Sequence, residues 1–482
     1  MSERRRIAVV GGGIAGLAAA FRLITIDPAL EVTLIEATPR LGGKIKTDHV
    51  DGYVIEGGPD SFLTSKPRGL GLCRELGIDG QLQGVTESTR RSFVLRHGKL
   101  YELPEGLTGL IPTRLGPMAK TRLISPVAKV RMAADYLLPA KKADSDESLA
   151  AFIERRLGRE VYENLVEPLM AGIFAGDGRE LSLAATFPQL RHGELAHGGL
   201  IKGVLAARRD APQPNPYAPR PSPFLSPIDG MGVIVTALEE RLQVSGVTIE
   251  LNRTINHVAR EGSGEFRVQS AGWPDIDADA VILATPAYAS ADLVQAFLPE
   301  ASSLLRKIPH VSTATVALGY DASKLGGPLA GHGYVIPRAE ERQALACTWG
   351  SSKWAHRAPA GKSLIRVFIG RAGQESVLER DDAGLVEIAR NELKSTLGIT
   401  AEPELSLVNR WPHGMPQYVL GHLDRIAAIA RDMQSMPRLQ LAGNAFRGVG
   451  IPDCVASGEE AAERAVRSLT VNRAAAVVQA AN

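Results

Sequence analysis

Cysteine is scarce in this sequence: 482 residues contain three, Cys73, Cys347 and Cys454, and no two stand close enough for a CxxC pair or a metal knuckle. A sparse, odd count excludes a disulfide scaffold and fits a reducing compartment. A chain of this length buries a core large enough to do without cross-links. An excess of one charge is also missing, with 55 Lys plus Arg against 53 Asp plus Glu, so the composition makes no case for nucleic-acid binding. No apolar run approaches the roughly 20 residues of a spanning helix. The opening Met1-Ser2-Glu3-Arg4-Arg5-Arg6 has neither the apolar core nor the cleavage site of a secretory signal. The expectation is a soluble, cytoplasmic protein, with attachment to a membrane surface left open. Ser-His-Asp, paired-carboxylate and metal-ligand constellations are absent as well. The ten histidines are scattered, which points away from chemistry carried by side chains alone.

What is present is concentrated near the start. Ile7-Ala8-Val9-Val10 reads as a buried parallel strand. Gly11-Gly12-Gly13-Ile14-Ala15-Gly16 follows at once, and Leu17-Ala18-Ala19-Ala20-Phe21-Arg22-Leu23 has strong helical propensity. In this GxGxxG, Gly11 makes the tight turn, Gly13 lets the backbone approach a pyrophosphate, and Gly16 lets helix and strand touch. The helix N-terminus offers free N–H groups and the positive end of a dipole to phosphates. A second strand, Val32-Thr33-Leu34-Ile35, ends in Glu36, an acid placed to accept hydrogen bonds from a ribose. A bare βαβ unit accounts for the strand, turn and helix but not for the acid, so dinucleotide binding is the better reading.

Further along, Leu103 to Leu190 is mostly helical in period, and prolines at 212, 214, 216, 219, 221, 223 and 227 predict an irregular connector from Ala207 to Pro227. Nucleotide-domain character returns in the helix opened by Asp229-Gly230-Met231-Gly232 and in strands at Val247–Leu251, Thr254-Ile255 and Ala278–Leu283. It returns again in Leu439-Gln440-Leu441-Ala442-Gly443-Asn444 and in Gly448-Val449-Gly450-Ile451-Pro452-Asp453-Cys454, which is expected to open a helix Ala456–Leu469. The nucleotide domain is therefore discontinuous.

Arg40-Leu41-Gly42-Gly43-Lys44 resembles the R-x-G-G-R/K signature of the large flavoprotein class of amine oxidases, phytoene desaturases and porphyrinogen oxidases, so the resemblance implies FAD. Further motifs narrow it: Glu56-Gly57-Gly58-Pro59-Asp60-Ser61-Phe62, Gly172-Ile173-Phe174-Ala175-Gly176-Asp177 with Leu181-Ser182, Thr186-Phe187-Pro188, Met415-Pro416-Gln417-Tyr418, and the Gly448–Cys454 segment. With these the chain from Ile7 to about Leu469 resembles the FAD-dependent porphyrinogen oxidases of haem biosynthesis. Gly109–Thr113, Ala346–Trp349 and Ser351–Trp354 are similar to the Gram-positive-type, coproporphyrinogen-using branch.

The resemblance implies an α/β fold: a discontinuous Rossmann-like FAD domain (1–84, 225–298 and 438–471), a mixed-sheet substrate domain (85–102, 191–224 and 299–437), a helical lobe (103–190) and a tail (472–482). It implies FAD contacts at Gly11, Gly12, Gly13, Ile14, Ala15, Gly16, Glu36, Arg40, Gly42, Gly43, Lys44, Gly58, Pro59, Asp60, Ser61, Ile255, Trp411, Gly443, Gly448, Val449 and Gly450. Trp411 could equally be a core aromatic. The Gly172 backbone is expected near flavin N5, where a glycine admits close approach; a helix-breaking turn is the competing reading. Arg90, Arg91 and Arg96 flank the strand Ser92–Leu95, where relatives carry a propionate-binding basic residue; of these Arg91 is expected to hold a substrate propionate, with solvated surface arginines as the competing reading. His332 stands where many relatives place Phe against the macrocycle.

The implied reaction is six-electron oxidation of coproporphyrinogen III, or alternatively protoporphyrinogen IX. It proceeds through three rounds of hydride transfer to flavin N5, each closed by molecular oxygen, in a monomer or homodimer that meets other haem-pathway enzymes. The other-class alternatives are a flavin amine oxidase, for which Lys353 is the nearest candidate for a flavin-side lysine, and a non-catalytic flavin-binding scaffold.

Overall fold

The run Ile7–Val10 becomes the central strand, Arg6–Val10, of a five-stranded sheet ordered Thr248–Glu250, Glu31–Ile35, Arg6–Val10, Ala280–Leu283, Leu439–Leu441, with every pair parallel. The computed structural model describes residues 4–87, 91–104, 107–108, 111–112, 115–141, 145–210, 222–262 and 264–480. A parallel sheet is covered on both faces, so its strands need apolar residues at successive positions. Ile7 and Val9 enter one core with the helices Ile14–Ile26, Gly232–Val244 and Ile451–Ala480. Ala8 and Val10 enter a second core with the helices Ala287–Val294 and Pro299–Arg306 and the antiparallel strands of residues 257–278. The first and last helices of this layer touch backbone to backbone, because a Cβ on Gly458 would run into the carbonyl of Ala15.

A seven-stranded mixed sheet forms the second body. Its order is Leu405–Pro416, His310–Asp321, Lys362–Ile369, Ala344–Trp349, Gly333–Val335, Ser92–Arg96, Lys99–Glu102, and only the pair of Gly333–Val335 with Ser92–Arg96 is parallel. Helices from Leu115 to Asp210 form a third body around Phe152, Ile153, Leu165, Met170, Leu190 and Leu200. None of the helices among the described residues is long and apolar enough to cross a membrane.

Several boundaries differ from the sequence expectation. The helical body does not stop at residue 190: helices Pro188–His197 and Leu200–Asp210 bury Leu190, Leu200 and Ile201 in the same core. The connector expected from Ala207 to Pro227 is regular at both ends, in that helix and in the strand Phe224–Pro227, which pairs with Phe62–Leu63 and Leu82–Gly84; its residues 211–221 lie outside the described ones. Thr254-Ile255 is not a strand but a crossing segment. The last helix begins at Ile451, five residues earlier than expected, with Pro452 in its first turn where a missing N–H does no harm, and runs to Ala480, into the expected tail. The helix read over Val161–Val166 closes as a π-turn, Tyr162–Val166, with the Glu167 N–H donating to the Tyr162 carbonyl. Pro168 supplies the reason, since it has no N–H for the carbonyl one turn back and its ring crowds that carbonyl.

Candidate cofactor and active site

The glycine turn sits at the carboxyl end of the strand Arg6–Val10, where open α/β sheets bind ligands. Gly11 has φ of 109°, and a Cβ there would lie 2.8 Å from the Ala284 carbonyl oxygen. A Cβ on Gly16 would collide with the Gly11 carbonyl, so the helix can start this close to the strand only with glycine. Gly42 and Gly43, both at positive φ, bring the second glycine loop against the first: Gly42 N–H donates to Gly12 O at 2.8 Å, and a Cβ on Gly43 would lie 3.0 Å from Gly13 Cα. Two bare stretches of backbone thus lie side by side, a surface that a diphosphate can approach closely.

Glu36 accepts from the Gly12 N–H at 2.7 Å through Oε2, and from the Thr38 N–H and hydroxyl through Oε1. The segment carrying Ile255 crosses beside it, with the N–H groups of Asn252 and Arg253 donating to Thr38 O and Glu36 O. Ile255 itself is half-buried against the second core. Arg40 was expected to contact FAD. Instead its guanidinium spends three bonds on its own loop, on the carbonyls of Leu41, Ile45 and Gly43. Lys44 is different: it is half-buried, it makes no hydrogen bond or ion pair among the described residues, and burial lowers its pKa. Its Cε reaches within 3.5 Å of where a Cβ on Gly414 would stand, and an unpartnered, half-buried ammonium is a charge that an anionic group such as a diphosphate can meet.

Glu56-Gly57-Gly58-Pro59-Asp60-Ser61 links this layer to the mixed sheet. Thr315 and the Trp411 indole N–H both donate to Gly57 O at 2.9 Å, and Arg366 donates to Glu56 O and Gly58 O at 2.7 and 2.8 Å. A Cβ on Gly58 would strike the Lys44 carbonyl, and Trp411 lies just beyond at 3.8 Å. Trp411 is therefore not a core aromatic; it ties the Gly57-Gly58 segment to the mixed sheet and is partly exposed there. Burial alone would raise the Asp60 carboxyl, but Lys353 and Arg366 hold it well below the usual carboxylate range. Lys353 reaches Asp60 at 2.9 Å and Ser61 donates to the same carboxylate at 2.8 Å, while Pro59 is half-buried beside them. Committed to that pair, the Lys353 ammonium is a strut between domains, not the free lysine of an amine oxidase.

At the far end, Gly443 N–H donates to Ser457, and Gly448 and Gly450 wrap around Asp453. The Asp453 carboxylate accepts from Gly450 N–H at 3.2 Å and pairs with Lys66 at 2.5 Å, so one N–H of this helix start is already taken. Val449 packs toward the helical body.

Gly172 does not break a helix. It lies inside the helix Glu167–Phe174, which ends at Ala175 in the left-handed region with φ of 50°. Gln417 donates to Phe174 O at 2.8 Å, Ala372 N–H donates to Ala175 O at 2.8 Å, and a Cβ on Gly176 would meet the Gln417 side chain. Two motifs some 240 residues apart therefore interlock. Arg91 is exposed at the foot of the strand Ser92–Arg96, and His332 N–H donates to its carbonyl at 2.7 Å. The His332 ring Nε2 lies 3.3 Å from Thr86 O, to which it donates. These two form a group of their own beside the mixed sheet. Arg96 is bound to Arg122 O, Leu123 O and Glu160, and Arg90 lies outside the described residues.

Arg366 and Thr315 were not singled out by the sequence reading, and Gln417 and Asp453 stood there only as members of motifs, without a role. Arg366 carried one usable signal, a lone cation within the apolar run Leu364–Ile369. A buried charge of that kind is there to pair or to hydrogen-bond.

Residues 14–466 match the family model for flavin containing amine oxidoreductase. The coproporphyrinogen III oxidase of Bacillus subtilis (strain 168) is 38% identical over 97% of this chain and 99% of its own length. That of Staphylococcus aureus (strain NCTC 8325 / PS 47) is 36% identical over 96% and 100%. A crystal structure from Exiguobacterium sp. 255-15, provisionally named protoporphyrinogen oxidase, superposes with a TM-score of 0.83 at 34% identity over 96% of this chain and 98% of that one. With the paired glycine loops, the unpartnered lysine and the acid at the end of the second strand in place, these matches mean that the chain belongs to the flavin-containing amine oxidoreductases, as an FAD-dependent member of their porphyrinogen oxidase group.

Proposed function

We propose that this protein oxidises a porphyrinogen to a porphyrin, with coproporphyrinogen III as the preferred substrate and oxygen as the final acceptor. The two relatives named coproporphyrinogen III oxidase, matched end to end, support the substrate. The residues of the site support the chemistry. The chemistry that bound FAD supplies is two-electron acceptance, repeated three times for the six electrons lost. Lys44 would balance the diphosphate, Gly13 and Gly43 would give it bare backbone, and Glu36 would accept from the ribose; Gly58, Trp411 and Asp60 fix the junction with the mixed sheet. Apart from the Arg40 side chain, the remaining FAD contacts read from the sequence are carried with them. Arg91 would meet a propionate, with His332, tied to Thr86, next to it.

The observation that carries the active-site reading is Gly172. A glycine inside a helix destabilises it by roughly 0.5–1 kcal/mol relative to alanine. Nothing in the fold demands it here, because its residue is exposed and a Cβ would meet only Val335 Cγ1, at 3.9 Å. The demand comes from something that must approach the helix backbone, and a flat macrocycle held beside the flavin is such a partner. Gly172→Ala is therefore expected to fold more stably than the parent, by roughly 0.5–1 kcal/mol, and to bind FAD with an unchanged spectrum, yet to oxidise porphyrinogen at least roughly tenfold more slowly, since small misplacements of reacting atoms have effects of that order. Wild-type turnover in Gly172→Ala would remove this residue from the active site.

A further inference from the structure

We infer that Glu167 is a positioning residue for this reaction: with Arg371 it sets the rotation and height of the helix whose Gly172 backbone faces the substrate. The inference rests on the reading of Gly172 given above. Glu167 opens that helix and is 5% exposed; Arg371, on the mixed-sheet body, is 1% exposed, and Arg371 Nη1 lies 3.7 Å from Glu167 Oε1. The other carboxylate oxygen accepts the Arg338 N–H at 3.0 Å. Arg371 in turn donates to Ile336 O and Ala344 O at 3.3 and 3.1 Å, and Arg338 donates to Ala372 O at 3.0 Å. Ala372 is the residue whose N–H holds Ala175 O. The helix is thus tied to one stretch of the mixed-sheet body at both ends, with Gly172 between the ties.

The placement of the pair argues for position over stability. Glu167 Oε1 and Arg371 Nη1 have no hydrogen-bond partner, so on the sides that face each other the two charges meet without a direct hydrogen bond to offset desolvation. Burial raises the Glu167 carboxyl and lowers the Arg371 guanidinium, so each charge is held against the cost of its surroundings. Well-packed neutral side chains would serve stability as well or better; a charge pair that fits in one orientation specifies register. The π-turn just before it adds to this. By accommodating Pro168 it advances the helix by an extra residue, and the residue delivered at its exit, facing Arg371, is Glu167.

The test uses the FAD-loaded enzyme and anaerobic mixing with coproporphyrinogen III, following the bleaching of bound flavin. Glu167→Gln keeps an acceptor for the Arg338 N–H and removes the charge. Glu167→Gln/Arg371→Met removes both charges and decides the matter if the single variant folds poorly. The expected result is a wild-type flavin spectrum and wild-type reoxidation by oxygen, with bleaching about tenfold or more slower. Bleaching at the wild-type rate in either folded variant overturns the inference. Gly172→Ala in the same assay separates the two readings. A slow Gly172→Ala beside fast Glu167 variants defeats the strut alone, whereas a fast Gly172→Ala defeats the reading on which it rests.

Discussion

Gly58→Ala and Gly16→Ala will be purified without the yellow of a flavoprotein. In each, the new methyl group would occupy the place of a main-chain carbonyl oxygen, that of Lys44 for Gly58 and that of Gly11 for Gly16. No side-chain rotation relieves such a clash, so backbone must move: the first helix away from its own glycine turn in Gly16→Ala, and the Gly58 segment away from the Lys44 carbonyl in Gly58→Ala. Overpacking of this kind has effects of about 1–3 kcal/mol, and here the strain falls on the backbone that receives the diphosphate. FAD affinity should therefore drop by roughly one to two orders of magnitude, each order being about 1.4 kcal/mol. Gly80→Ala is the control, because a Cβ there meets nothing within 4 Å. Flavin content after purification and titration of the apoprotein with FAD give the answer. Full flavin content in Gly58→Ala would mean that the cofactor does not lie along this loop.

The second large effect belongs to the helical body, which carries Gly172. Arg156 is fully buried and donates through Nε to Asp135 at 2.5 Å and through Nη1 to Pro139 O at 3.0 Å; Glu194, also fully buried, lies 3.5 Å from it and is held by Arg155 and Arg191 at 2.7 and 2.6 Å. Arg156→Met would leave the buried Asp135 carboxylate with the Ile201 N–H as its remaining partner. Removing one member of a buried ion network destabilises by about 3–5 kcal/mol, so this body should melt well below the parent's transition. The same network sets an acid limit. Burial alone would raise the Glu194 carboxyl, but Arg155, the Lys141 N–H and Arg191 outweigh it and bring it down to about 2. A group lowered on folding contributes stability above its unfolded pKa of about 4.3, and that contribution fades as pH falls toward 2. Melting curves of Arg156→Met and of the parent across that range test both statements; an unchanged midpoint in Arg156→Met would show that the network is dispensable.

Much of the cofactor site was legible because its signals are local. Gly11–Gly16, Glu36 and Gly42–Lys44 fall within about forty residues, and each residue type answers a nearby demand: a turn, a close approach, a free charge. The strand Ile7–Val10 was equally legible, since a parallel strand covered on both faces has no polar alternative. Errors came where local chemistry is ambiguous. Thr254-Ile255 carries β-branched side chains like a strand, yet it has to cross the sheet edge past Glu36. The start of the last helix was placed too late because Gly448, Gly450 and Pro452 read as a loop, although a proline in a first turn is compatible with a helix. What the sequence could not disclose is contact across long separations. Gln417 on Phe174, Arg366 on Gly58 and Arg371 facing Glu167 join residues some 200 to 300 positions apart, and nothing in their neighbours along the chain marks the pairing. Arg40 shows the converse: a motif position occupied as expected, whose side chain the fold spends on its own loop.

The account makes one claim on which the rest depends, that this flavin site takes its electrons from a porphyrinogen. The most direct measurement is anaerobic mixing of the FAD-loaded enzyme with coproporphyrinogen III, protoporphyrinogen IX or a primary amine, following bound-flavin absorbance and porphyrin fluorescence together. The account predicts bleaching with matching porphyrin formation from both porphyrinogens, faster with coproporphyrinogen III, and no bleaching by the amine. Bleaching by the amine alone, or by none of the three, would contradict it.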